Sequence, residues 1–174
     1  MRAFLLGPVV RLVPVGLIFL ALQRAVFAEY RLKGVALQVV LALVAAAGAG
    51  GGPERGALAG FVLGMMYDLG VGTPLGLTAL AYGLAGLVAG YVILITPDPQ
   101  WWFAMIFVAL GAAVGEVAIA VTKLLIGEEG WVDASLFKVV PIVAAFAALL
   151  SPVLVPVGRW CMYVRRPKWK AIPE

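Results

Sequence analysis

The segment Gly56-Ala-Leu-Ala-Gly60-Phe-Val-Leu-Gly64-Met-Met-Tyr-Asp68 sets three glycines four residues apart in an apolar run, with an aspartate four residues further on. A step of four residues advances an α-helix by about 400°, so the glycines and the acid share one slowly drifting stripe. Small residues repeated at every fourth position let membrane helices bring their backbones close together. A carboxylate on such a stripe is costly in an apolar setting and calls for a structural or functional partner. The chain stays apolar on both sides of this segment, which points to closely packed helices in a bilayer.

Composition agrees. The 174 residues are 64% hydrophobic and 13% charged, with a mean hydropathy of +1.07. A soluble domain is nearer ~50% apolar and ~25% charged. Spanning helices take about 20 residues each plus short turns, so this length accommodates about six. The expected fold is all-α and integral to the membrane, a single transmembrane domain over 1–174 with no room for a soluble one. Histidine is absent and Cys161 is the single cysteine. That excludes Cys/His metal sites, Ser-His-Asp triads and an internal disulfide. No Walker A loop, G-x-S-x-G elbow or HExxH helix is present, so neither an enzyme nor a cofactor is expected. The net charge of +4 gathers toward the C-terminal end, where it suits anionic lipid headgroups and not nucleic acid.

The apolar runs predict helices over about 3–22, 35–50, 56–69, 75–95, 101–126 and 139–160, followed by a basic tail over 161–174. The first run also has a signal-peptide outline, with Val26-Phe27-Ala28 as a cleavage site. A spanning helix kinked at Pro14 is preferred, because nothing after it looks secreted. Glu29-Tyr-Arg-Leu-Lys33 reads as a charged turn, and Gly50-Gly-Gly-Pro53 as a breaker. A third helix of about 14 residues would reach only about 21 Å, short of the ~30 Å hydrocarbon core. Gly70-Val-Gly72-Thr-Pro74 makes the next turn, and Pro97-Asp98-Pro99 ends the fourth helix. Trp101 and Trp102 at the start of the fifth helix, and Trp160 at the end of the sixth, suit interfacial anchors. Gly127 to Asp133 is an acidic loop.

Basic residues set orientation. With a cytoplasmic N-terminus, that side holds eight of the 13: Arg2, Arg11, Arg55, Arg159, Arg165, Arg166, Lys168 and Lys170. Both termini are then cytoplasmic and the acidic loop is outside.

Glycine faces continue on later helices, at Gly76, Gly83, Gly86 and Gly90, then at Gly111 and Gly115. Together they indicate intramolecular packing in preference to a dimer face. Asp68 has two compatible readings: an acceptor for the Gly70–Thr73 turn, or a polar contact near the outer surface. Glu116 is the second intramembrane acid, with Lys123 seven residues on and about 10 Å further along the helix. A proton or ion relay needs several such groups converging, so packing or partner contact is preferred for this pair.

Residues 53–90 resemble the rod shape-determining MreD family. Its pattern, G-x-x-x-G-F-x-x-G-L-x-x-D, then a glycine turn and P-L-G, falls here on Gly56, Gly60, Phe61, Gly64, Met65, Asp68, Gly72, Pro74, Leu75 and Gly76. Leu22-Gln23 is also similar to the family. Met65 replaces a usual leucine, and Thr78 stands where many members carry histidine, so no role of that side chain carries over. The resemblance implies a six-helix, non-enzymatic component of the bacterial cell-elongation machinery in the inner membrane. Its partner would be MreC, directly, with MreB, RodA and a class B penicillin-binding protein reached indirectly. It also implies a fold similar to the S-components of ECF-type vitamin importers. That supplies the alternative function, a small-solute-binding importer subunit, whose few outward-facing polar candidates are Asp68, Thr73, Tyr82 and Trp131.

Overall fold

Six α-helices run through the residues that the computed structural model describes, which are 8–26, 31–32, 35–127 and 136–162. They are α1 (Pro8–Ala25), α2 (Val39–Gly51), α3 (Pro53–Val71), α4 (Leu77–Ile95), α5 (Trp101–Leu125) and α6 (Leu136–Met162). A minimal antiparallel pair, β1 (Arg31–Leu32) and β2 (Val35–Ala36), joins α1 to α2 with Arg31 opposite Ala36. α4, α5 and α6 are each long and apolar enough to cross a membrane, which marks a membrane protein. Trp131 and the rest of 128–135, and the tail from 163, lie outside the described residues.

The core is organised around α2. Every residue from Val39 to Ala49 is buried, and the helix touches all five others. A helix apolar on every side belongs inside a bundle, and its run of Ala and Gly keeps it thin enough to be surrounded. The remaining helices follow one another around it: α3 against α4, α4 against α5, α5 against α6, and α6 back against α2. α1 lies on the outside, against α3, α2 and α6.

Several boundaries differ from the sequence-based ones. α3 is 19 residues, not 14, because Pro53, Glu54 and Arg55 are helical. Proline is at home in a first turn, where its missing N–H has no partner to lose. An acid there also meets the positive end of the helix dipole. The helix therefore reaches about 28 Å, longer than the expected ~21 Å. α2 begins at Val39, since Val35 and Ala36 pair with β1. One residue, Gly52, separates α2 from α3, at φ +92.

The glycine stripe of α3 faces α4. A Cβ placed on Gly56 would strike the carbonyl of Gly86, one on Gly60 the carbonyl of Tyr82, and one on Gly64 the backbone of Ala79. Gly48 of α2 meets the same Gly86 carbonyl, so three helices converge on that point. Phe61 lies off the stripe and is 45% exposed.

Candidate functional site

Asp68 ends the glycine stripe, and its carboxylate is 1% exposed. It accepts four hydrogen bonds. The Thr73 hydroxyl donates at 2.7 Å and the Gly76 N–H at 2.9 Å. The N–H groups of Thr78 and Ala79 donate at 3.3 and 3.4 Å. The first amides of a helix have no intrahelical acceptor, so the last turn of α3 supplies the cap for α4. Gly72 ends α3 in the left-handed conformation, with its N–H bonded to the Asp68 carbonyl at 2.9 Å. Pro74 and Leu75 form the exposed tip of the turn. The donors differ from the expected Gly70–Thr73 turn: only Thr73 belongs to it, and the others come from the start of α4.

Beside this clamp lies a polar cavity of about 370 Å³. Gln23 of α1, Gln38 ahead of α2, Tyr67 of α3, Thr78 and Tyr82 of α4, and Glu116 and Lys123 of α5 all line it. Gln38 ties the wall together. Its Nε2 donates to Glu116 Oε2 at 2.6 Å, and its Oε1 accepts from the Tyr82 hydroxyl at 3.2 Å. Gln23 Oε1 accepts the Val40 N–H at 2.9 Å, capping the first turn of α2. The rings of Tyr67 and Tyr82 lie 5.8 Å apart, tilted by 51°. Arg24 closes the neighbouring edge by donating to the Gly70 carbonyl.

Glu116 and Lys123, paired in sequence only by spacing, therefore share one cavity, together with Thr73 and Tyr82. Asp68 does not line it. Gln38 and Tyr67 were not anticipated as site residues, and Gln23 was noted only for its family likeness. One signal was available: of three glutamines in the chain, the two set in apolar runs both line the cavity. Among the described residues no cluster of three or more His, Cys, Asp and Glu side chains could hold a metal.

The opposite end of the bundle is chemically different. Trp101 and Trp160 flank an apolar groove of about 490 Å³ between α5 and α6, with the buried Ser151 hydroxyl at its floor. Trp101, Trp102 and Trp160 are all exposed there, and Arg11 stacks over the Trp160 ring at 5.7 Å. Arg159 pairs with Asp98 at 3.6 Å at the same end. Outward aromatic and basic side chains suit a headgroup layer.

Comparison with protein-family models, with curated proteins and with solved structures gives no match.

Proposed function

We propose that this protein is a non-enzymatic membrane scaffold of the MreD type, with six spans, both termini cytoplasmic, and a fold like that of an ECF S-component. On this reading it binds MreC and helps to organise lateral wall synthesis in the inner membrane, with MreB, RodA and a class B penicillin-binding protein reached through MreC. The observation that supports it is the α3–α4 hairpin. Gly56, Gly60, Gly64, Asp68, Gly72 and Gly76 each have a structural task within that one unit. A rigid hairpin gives a partner a fixed surface to recognise. Alongside it runs a groove with no polar lining, formed by Leu84 of α4 and by Val114, Val117 and Val121 of α5. The membrane helix of MreC docks there by close packing, since lipid offers no hydrophobic drive between helices. Gly60→Leu or Gly64→Leu is expected to reduce MreC co-purification while membrane insertion persists. Unchanged co-purification with either variant rejects the hairpin as the organising unit.

A second reading is favoured by the polar cavity: a small-solute-binding subunit. It predicts stabilisation by ligand of about 2.7 kcal/mol at a hundredfold excess over Kd, read as a rise in melting temperature of the purified protein.

A further inference from the structure

We propose that the groove between α5 and α6 retains one glycerophospholipid, with an acyl chain along its apolar walls and the phosphate on Arg159. The site lies at the end of the molecule away from the polar cavity and is independent of which function above holds.

Both walls belong to helices long and apolar enough to cross a membrane, so the medium that meets the groove is lipid. Ala104 of α5 and Pro152, Val155 and Pro156 of α6 give it an apolar lining. Its volume of about 490 Å³ falls within the ~300–1,000 Å³ of sites that enclose organic ligands. Pro152 and Pro156 bring no N–H to the α6 ladder. The carbonyls of Ala148 and Pro152 therefore lack their usual donors, and the wall yields there more readily than an unbroken helix. Ser151 lies at the floor, 1% exposed, and its hydroxyl has no hydrogen-bond partner among the described residues. A buried hydroxyl without an acceptor is costly, and an ester oxygen of the lipid supplies one where α6 gives way.

The rim supplies the headgroup contact. Trp101 and Trp160, 69 and 59% exposed, flank the opening, at headgroup level as interfacial tryptophans are. Arg159 lines the groove beside Trp160. Its counter-ion, Asp98, is 3.6 Å away and 94% exposed, against ~2.7–2.9 Å for a charge-assisted hydrogen bond. So loose a surface pair contributes little, and the planar guanidinium fork fits a phosphate through two bonds. A free phosphate ion would gain nothing from the apolar walls, whereas a phospholipid gains from walls and rim together.

The test is native mass spectrometry of the full-length protein released from detergent micelles, with dioleoylphosphatidylcholine or dioleoylglycerol added. The phosphatidylcholine is net neutral, which limits attraction to the basic tail. The protein is expected to retain a single phosphatidylcholine and no dioleoylglycerol. Arg159→Gln should lower retention about tenfold, the scale of one lost hydrogen bond to a charged group. Val155→Trp fills the groove from a half-buried wall position and should lower retention as far. Ala104→Phe, from the opposite wall, replaces it should Val155→Trp melt early in the absence of lipid. Ala118→Phe, in the groove between α4 and α5, should leave retention unchanged. Equal retention of dioleoylglycerol, or retention that survives Arg159→Gln, takes the phosphate off Arg159 and overturns the proposal. So does retention that survives filling of the groove, or the absence of any adduct.

Discussion

Asp68 shows how one side chain can organise two helices. Four donors meet a carboxylate that is almost wholly buried, and three of them are amides at the start of α4. Removing the acceptor strands those amides away from water, which costs about 1–3 kcal/mol. Asp68→Ala is therefore expected to lower the melting temperature in detergent distinctly. Asp68→Asn, which keeps one acceptor oxygen, should lower it less, and equal melting for all three proteins would rule out the clamp. Thr73→Val removes the hydroxyl donor alone and should cost about 1 kcal/mol, seen as a smaller shift in the same assay. An acid in an apolar run was legible in the sequence as needing a partner. Which partners was not, because Gly76, Thr78 and Ala79 reach it only once α4 has folded back over α3.

At the scale of the element, glycine spacing was informative because helical period converts it directly into a face. Gly56, Gly60 and Gly64 lie against α4 as their spacing implies. The start of α3 was less legible: Glu54 and Arg55 look like a surface, yet a first helical turn accommodates both. The two helices of the hairpin also predict unlike responses to the same change. A methyl on Gly60 would collide with the Tyr82 carbonyl, whereas one on Gly83 meets the Ala57 carbonyl at 3.6 Å and the Phe61 backbone nitrogen at 4.0 Å, both ordinary contacts. Gly60→Ala should destabilise by about 1–3 kcal/mol through overpacking. Gly83→Ala should be neutral or stabilising by up to about 1 kcal/mol, from helix propensity. Thermal unfolding of the two variants side by side decides the matter, and equal behaviour would refute close approach at Gly60.

Across the whole molecule the two ends are built for different surroundings. One gathers Trp101, Trp102, Trp160, Arg11 and Arg159, and the other gathers the cavity, the Asp68 clamp and the β1–β2 pair. On the proposed topology, with both termini cytoplasmic, Leu75 at the hairpin tip would face outward and Asp98 would face the cytoplasm. In a Cys161→Ala background, an impermeant maleimide applied to spheroplasts should label Leu75→Cys and spare Asp98→Cys. The reverse pattern would invert the topology. The cavity was hidden from sequence reasoning because its polar groups come from α1, the β2–α2 junction, α3, α4 and α5. No periodicity within one helix encodes a meeting of that many elements.

The enclosure of α2 has a consequence for biogenesis. α2 leaves the ribosome well before α6, yet part of its wall is supplied by α6, where Gly158 rests on the backbone of Ala47. Roughly 110 residues must be translated between those two positions, which at ~5–20 residues per second takes about 5–20 s. Throughout that interval a 13-residue helix, about 20 Å long and too short to span the ~30 Å bilayer core, has one flank uncovered. The insertion machinery therefore has to shelter α2 until α6 arrives, and a ribosome stalled before α6 leaves a nascent chain with an open seam for membrane proteases to find.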